Sequence, residues 1–567
     1  MPCKPLPRKA CGAWVTCATR PPAPLTARCQ RTRLTGVLAW FGVFAQALPW
    51  PDDVSTDAAR ASNLTTADPT APDDAPLHWH SRLKRADFDE HMASIHQAIA
   101  AGEYHQVNYT TSLHAEFAGD ASALFDRLLR AQPGGYAAFI DTGNEQVLSV
   151  SPELFFDWDG ASGGGQILTR PMKGTAARGT TPEDDAAQIA ALKSSPKERA
   201  ENVMIVDLLR NDLSRIAQPH SVQVPALFTV HSLPTVHQMV SDVSAQTRPG
   251  TTLADVFGAL FPCGSITGAP KARAMQEICA LEPEPRGVYC GAVGVVRPGG
   301  HATFNVAIRT VSLRGGQARC GLGSGITSDA TADAEWQEWQ IKQRFLTRAS
   351  QPFKLLETFK LQNGVFHNLA AHLARLSRTA GHFGYPFDKA HIDAALDDQR
   401  RAVVPDDTPW RVRLQLDALG APNVELFKKN STLVPVTIAL AATPFEAFQS
   451  EFTRFKTTRR AHYDAFAPTD PAVFDTLLYN PAGELTECTR GNIAFLMEGR
   501  WVTPPLRCGL LGGVGRQLAL QEGRLHEAVL RVTDLPRVQA LAFVNSLRGW
   551  VDARLIQTPV HDDNIQS

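Results

Sequence analysis

The chain of 567 residues contains no Cys-x-x-Cys pair, which removes the usual basis for a structural zinc site. Four of its ten cysteines (Cys3, Cys11, Cys17, Cys29) fall near the start and the others are scattered, so no disulfide framework is spaced out along it. That usage fits a reducing, cytoplasmic compartment. A net charge of −1 gives no electrostatic reason for nucleic acid or an anionic membrane as partner. Long hydrophobic runs are missing too. The most apolar stretch, Gly36 to Trp50, is too short to span a bilayer, and no apolar core of signal-peptide length precedes Pro21. Lysine is scarce: only 14 of the 56 Lys and Arg residues are Lys. Where composition favours Arg, a Lys is worth examining for its chemistry.

Lys173 lies in Thr169-Arg-Pro-Met-Lys-Gly-Thr-Ala-Ala-Arg-Gly179. Pro171 fixes φ and Gly174 frees it, so the segment reads as a bend. An amine on such a bend, buried against apolar walls, loses its proton more easily and becomes a nucleophile. Around it, Met1 to about Thr35 reads as irregular, Val37 to Gln46 as a buried strand and Asp52 to Pro76 as a linker. A helix is expected from about Asp87 to Gly102, with Phe88, Met92, Ile95 and Ile99 at helical spacing. A strand is expected from Tyr104 to Ala115, then a helix from Ala121 to Gln132. Strands follow at Tyr136–Asp141 and Gln146–Ser151, and glycines 163–165 suggest a hairpin connection. Glu153, in Ser-Pro-Glu, reads on its own as a plain loop carboxylate.

Lys197 to Ile216 has a strong helical pattern, with Asp207, Arg210, Asn211 and Ser214 as its polar stripe. Glu198 and Glu201 share one face near its start. They either complement the helix dipole or ligate Mg²⁺, which takes one or two carboxylates plus substrate oxygens. Glu335 and Glu338 are spaced alike on a second helix and read as an acidic surface or a second ligand pair. His237, in an apolar strand, is either a satisfied core histidine or a proton donor. Cys263-Gly-Ser-Ile-Thr-Gly-Ala-Pro-Lys-Ala-Arg273 has the makings of an anion-holding helix start, and it is not a Walker A loop. Phe304 to Val311 reads as a strand carrying Arg309, and Gly321-Leu-Gly-Ser-Gly325 as a tight glycine turn.

Together these segments, over about residues 85–345, resemble the chorismate-utilising enzymes, among them anthranilate synthase and aminodeoxychorismate synthase component I. The resemblance implies an α+β domain of two large facing antiparallel sheets with helices outside. It implies that Glu201, Glu335 and Glu338, with Glu198 nearby, hold Mg²⁺ on the substrate ring carboxylate. Tyr289, Arg309, Thr267, Lys271 and the backbone of Gly323 to Gly325 would hold the carboxylates of chorismate, and His237 would assist at the ring hydroxyl. Position 173 separates the subfamilies: anthranilate synthases carry Ala there, aminodeoxychorismate synthases Lys. Lys173 would attack C2 of the ring as the 4-hydroxyl leaves, ammonia would add at C4, and Glu153 would shuttle the proton. Ammonia would come from a glutamine amidotransferase partner, since this chain carries no Cys-His-Glu module.

The pattern changes near Ser350. Asn363-Gly364 marks a hairpin and His372 to Leu376 opens a helix. Lys456 is the last lysine in the chain, Glu487 follows on a strand, and Leu511-Gly-Gly-Val-Gly-Arg516 precedes a helix. Singly these read as surface residues. In this order, residues 353–560 resemble class IV pyridoxal-phosphate enzymes, a two-subdomain α/β aminotransferase-like fold. Lys456 would then carry pyridoxal 5′-phosphate and its protons, and Glu487 would pair with the pyridine nitrogen. Arg375, the amides of Gly513, Val514 and Gly515, and Ser546 would hold the phosphate, with Tyr463 beside the ring. The family has Thr where Gly515 stands, which removes one phosphate bond.

The three expected segments are thus 1–35, a synthase domain over 36–350 and a pyridoxal-phosphate domain over 353–567. The pairing suggests a fused enzyme making 4-aminobenzoate and pyruvate for folate synthesis. The alternatives are a general branched-chain or D-amino-acid aminotransferase in the second half, or anthranilate synthesis in the first. Class IV enzymes are commonly dimers, which leaves a homodimer through the second half open.

Overall fold

The computed structural model describes residues 12–17, 39–44, 77–160, 164–179, 182–233, 236–350, 352–403, 408–428 and 434–556. The expected linker Asp52–Pro76 lies outside these residues, as do Gly163 and most of Met1–Thr35. The chain divides into two compact units, Met1–Pro352 and Phe353–Ser567. No described helix is long and apolar enough to cross a membrane.

The first unit is built on two antiparallel sheets. The larger, nine-stranded sheet runs Gln223–Ser232, Val236–Gln246, Gln166–Arg170, Leu154–Asp159, His301–Val306, Ala292–Val296, Gly12–Cys17, Ala39–Phe44, and Met172–Ala177 pairs beside Val236–Gln246. Gly12–Cys17 is therefore a strand inside a stretch expected to be irregular. Pairing with Ala292–Val296 and Ala39–Phe44 supplies order that local propensity does not. Ala39–Phe44 is a strand as expected but not a buried one: Phe41, Val43 and Phe44 are exposed at the sheet edge. The seven-stranded sheet runs Gly268–Ala269, Gln106–Glu116, Gln317–Ile326, Thr310–Arg314, Gln146–Ser151, Tyr136–Asp141, with His80–Ser81 beside Gln106–Glu116.

The sheets meet through Val293 and Ala307 on one side and Ala138, Ile140 and Val147 on the other. Helix Pro196–Ser214 buries Ile205, Val206, Leu209 and Leu213 against Phe156 and Val243 of the larger sheet. Its Asp207, Arg210, Asn211 and Ser214 stripe is exposed, as the spacing requires. Helix Ala121–Ala131 covers the smaller sheet with Leu124, Phe125 and Leu128.

Two places where the chain changes sheet matter most. Gln146–Ser151 belongs to the smaller sheet and Leu154–Asp159 to the larger, so Pro152 and Glu153 form a crossing. His301–Val306 and Thr310–Arg314 likewise lie in different sheets. The single strand expected over Phe304–Val311 is broken there, and Arg309 sits at the break with a φ of +47°. That left-handed backbone is uncommon for a residue with a Cβ.

The second unit has two sheets with separate cores. Val365–Phe366, Leu355–Gln362, Trp410–Leu416 and Pro422–Lys428 form an antiparallel sheet packed on helices Leu369–Phe383 and Lys389–Arg401. Asn363 and Gly364 both take positive φ, as a two-residue hairpin turn demands. The other sheet has eight strands and is mixed: Val436–Leu440 runs parallel to both Asp475–Tyr479 and Gly549–Ile556. Lys456 lies on the extended segment between them. Its carbonyl accepts from the Leu356 N–H, and Thr457 bridges to Leu355.

Candidate active sites

A cavity in the first unit gathers Lys173, Glu153, Tyr289, Arg309, Gln238 and the carboxylates Glu198, Glu201, Glu335 and Glu338. Lys173 is not on a bend. It belongs to strand Met172–Ala177, whose Gly174 has a φ of +99°, and Asn202 donates to its carbonyl at 3.3 Å. Its amine enters the cavity beside strand Gln317–Ile326. The expected glycine turn is the middle of that strand. Gly321, Gly323 and Gly325 share one face because side chains alternate. A Cβ on Gly325 would stand 2.9 Å from the Lys173 amine, and one on Gly321 would enter the Tyr289 ring. The glycines therefore let two functional side chains approach the backbone. The walls around Lys173 are also not apolar: Glu153, Glu201 and Glu338 all feel its charge.

Glu153 is buried, and burial pushes its pKa up to about 7 although the Ser265 hydroxyl donates to it at 2.7 Å. Glu198 is raised to about 7 by burial and by Glu201 beside it. Burial raises Glu201; burial and Glu338 raise Glu335, which accepts from Ser324. Burial opposes ionisation of Glu338 as well, but Lys342 at 2.7 Å outweighs it and holds that carboxylate down. Among the described residues no three His, Cys, Asp or Glu side chains stand close enough to hold a cation. The donor chemistry still suits Mg²⁺: hard oxygens, mutual repulsion and room for substrate oxygens.

The second unit holds a cavity lined by Lys456, Arg375, Tyr463, Glu487, Gly513 and Ser546. Burial, then repulsion from Arg375 and Arg460, lowers the Lys456 pKa to about 8. Burial raises Glu487 to about 7, while the Tyr463 hydroxyl donates to it at 2.7 Å and the Leu511 N–H at 2.9 Å. Arg375 is clamped by Glu357 through bonds of 2.8 and 2.7 Å, and His372 bridges Glu357 to the Ser546 hydroxyl. Helix Val514–Gln521 begins at Gly513. A Cβ on Gly515 would stand 2.8 Å from the Asn545 carbonyl carbon. A larger residue there would meet backbone, so glycine suits this position. Amine, carboxyl, hydroxyl and helix-start amides fit pyridoxal phosphate.

A family model described as chorismate binding enzyme matches residues 29–348, more than half of the chain. The chain belongs to the chorismate-binding enzymes. Amino-transferase class IV matches residues 354–556. Aminodeoxychorismate synthase component 1 of Salmonella typhimurium is 41% identical over 46% of this chain and 56% of its own length. The protein of the same name from Klebsiella aerogenes is 40% identical over 51% and 61%. Anthranilate synthase component 1 of Lactococcus lactis is 34% identical over 53% and 64%. The chain thus spans less than two thirds of each of these relatives.

In this chorismate-binding enzyme three expected contacts are placed elsewhere. His237 faces away from the cavity, bonded to Ser232 and Asp185 at 2.9 Å each, while its neighbours Val236 and Gln238 line cavity walls. One residue along a strand changes the face. Lys271 is committed to Asp212 at 2.7 Å, and the Thr267 hydroxyl donates to the Cys263 carbonyl. Their loop reaches the cavity through Ser265 and Ile266 instead. Arg309 does line it and donates to Gln132. The sequence reading missed Ser265, Gln238 and Lys197 as lining of the first cavity, Asn202 behind the Lys173 backbone, and Glu357 and His372 at the second. Glu357, on a strand 18 positions before Arg375, gives no local signal.

Proposed function

We propose that the first unit converts chorismate and ammonia to 4-amino-4-deoxychorismate, and that the second cleaves this product to 4-aminobenzoate and pyruvate for folate synthesis. The observation that carries the reading is the Lys173 amine inside the carboxylate-lined cavity. Lys173 attacks C2, the ring double bond shifts and the 4-hydroxyl leaves. Ammonia then adds at C4 and expels Lys173. Glu153, near neutrality in its pKa, moves the proton. Mg²⁺, when bound, neutralises the ring carboxylate and polarises the ring. Glu201, Glu335 and Glu338, with Glu198 beside them, would hold it, while Arg309 and Tyr289 orient the carboxylates. Splitting one displacement into two is the gain from covalent attack.

Pyridoxal phosphate, when bound in the second unit, supplies an electron sink. Lys456 would remove the C4 proton, Glu487 would hold the proton of the pyridine nitrogen, and Arg375, Ser546 and the Gly513–Gly515 amides would hold the phosphate. Loss of the C4 proton and cleavage of the C3–O bond, with the oxygen leaving in enolpyruvate that takes up a proton to become pyruvate, make the ring aromatic. A separate glutamine amidotransferase supplies ammonia, in keeping with the name component 1 of the relatives. Buried free thiols such as Cys290 and Cys320 suit a cytoplasmic setting, and a homodimer through the second unit is the arrangement we expect.

The deciding experiment supplies chorismate, ammonia and Mg²⁺ and identifies products by mass. 4-Aminobenzoate with pyruvate is expected. Anthranilate would refute amination at C4. Amino transfer to a keto acid without pyruvate release from aminodeoxychorismate would make the second unit a general aminotransferase.

A further inference from the structure

Arg411, Arg490 and Arg548 all line the Lys456 cavity, apart from the residues given to the cofactor phosphate. Arg490 and Arg548 stack on Phe474, their guanidinium carbons 5.0 and 5.4 Å from its ring centre. Arg411 projects from strand Trp410–Leu416 and stacks on Phe427 at 4.5 Å. Burial lowers the Arg548 pKa, and repulsion from Arg490 and Arg411 lowers it further. Its Nε is buried with no hydrogen-bond partner. The acid that offsets this charge, Asp475, is fully buried and already taken. It accepts from the Thr476 N–H, from the N–H and hydroxyl of Thr489, and from the Arg490 N–H and Nε.

Like charges gathered around a saturated acid, with one donor idle, form a receptor for an anion. The phosphate does not require them, because Arg375, clamped by Glu357, and the His372–Ser546 pair already stand at the glycine turn. We propose that Arg411, Arg490 and Arg548 bind carboxylates of the second unit's substrate. That unit then selects a cyclic amine whose carboxylates lie remote from its nitrogen. An α-amino acid with an apolar side chain carries only the carboxylate next to its amine and leaves this group unmatched. The choice of a cyclic amine rests on the lyase reading; the anion site itself does not.

The test uses the full chain loaded with pyridoxal phosphate, without ammonia or Mg²⁺, and isophthalate as a dicarboxylate probe. Isophthalate is expected to compete with aminodeoxychorismate in pyruvate release and to bind at least about tenfold tighter than benzoate. Arg490→Gln and Arg548→Gln should each weaken it about tenfold and raise KM more than they lower kcat, with the cofactor absorbance band unchanged. Arg411→Gln, at an exposed strand position, serves if either variant fails to fold. Unchanged isophthalate affinity in the variants, with the band intact, would overturn the site even if pyruvate is still released. Arginine-dependent isophthalate binding without any pyruvate release would leave the site standing and remove the lyase reading.

Discussion

Lys173 lines the cavity of the first unit and Lys456 that of the second, and these two lysines keep opposite electrostatic company. Lys173 stands among carboxylates, with Glu153, Glu201 and Glu338 within reach of its charge. Lys456 is repelled by Arg375 and Arg460 and is balanced only in part by Glu357 and Glu487. Under the proposed function, the difference follows from what each cavity would hold. A Mg²⁺-assisted dicarboxylate would need acids for the metal, and the lysine would react inside that ring of acids. A phosphorylated aldehyde needs cationic and amide donors, and these push the neighbouring amine toward its neutral, nucleophilic form.

The comparison breaks first, and by the largest amount, if either lysine is removed. Lys456→Ala should abolish the cofactor absorbance band and cut pyruvate release from aminodeoxychorismate by about 10⁴-fold or more. Ammonia-dependent consumption of chorismate should stay within about twofold, because the units then act independently. Lys173→Ala should do the reverse: amination falls by about 10²- to 10⁴-fold, while pyruvate release from supplied aminodeoxychorismate persists. A joint loss in either variant would show that the cavities are not separate machines.

A pH series sharpens it next. With the Lys456 pKa lowered to about 8, first by burial and then by Arg375, the amine is charged below that pH and neutral above it. Cofactor capture by the stripped chain, followed by absorbance, should rise about tenfold per pH unit below 8 and level off above. Arg375→Met removes a repelling cation, so the break should move to higher pH even if phosphate affinity drops. A break that stays near 8 would assign the shift to burial and Arg460 rather than to Arg375.

The acids of the first cavity give a smaller effect. Glu198 is raised from 4.5 to about 7, by burial first and Glu201 second. The native state then holds a proton that the unfolded chain has released, so stability falls as pH rises from 4.5 to about 7. Glu198→Gln should therefore raise thermal stability at pH 8 by about 1 kcal/mol, after discounting for its partial exposure, and leave it unchanged at pH 4. Added Mg²⁺ should shrink the gain at pH 8, because the cation supplies the missing neutralisation. Thermal melts at both pH values, with and without Mg²⁺, check this.

Much of this was legible in the sequence because the signals were local. Asn363-Gly364 sits at its hairpin turn and the polar stripe from Asp207 to Ser214 is exposed, whereas it was the family resemblance, not a local signal, that implied a common site for Glu153, Lys173, Glu201 and Glu335, which share one cavity. What escaped depends on tertiary placement. Glycines 321, 323 and 325 have the composition of a turn but serve as the bare face of a strand, because Tyr289 and Lys173 need that space. The break at Arg309 occurs because the chain changes sheets, which no periodicity within Phe304–Val311 records. Glu357 is separated from Arg375 by a hairpin and a helix turn, so its clamp exists only once the fold is made.

The smallest expected effect concerns the two histidines. His372 lines its cavity and bonds Ser546, whereas His237 is fully buried behind its strand. Its two partners, Ser232 and Asp185, occupy both ring nitrogens and leave none for substrate. His237→Gln should then change amination by no more than about threefold, with a stability loss of about 1–2 kcal/mol from the disturbed bonds. Gln238→Ala, one residue on and facing the cavity, should cost more in rate and less in stability. Initial rates and thermal midpoints of the two variants separate the cases. A hundredfold loss of amination in His237→Gln with an unchanged midpoint would mean that Val236–Gln246 presents its other face to the ring. Lys173 would then have an imidazole partner, and the contrast between an acid-lined cavity and a cation-lined one would lose its force at the leaving hydroxyl.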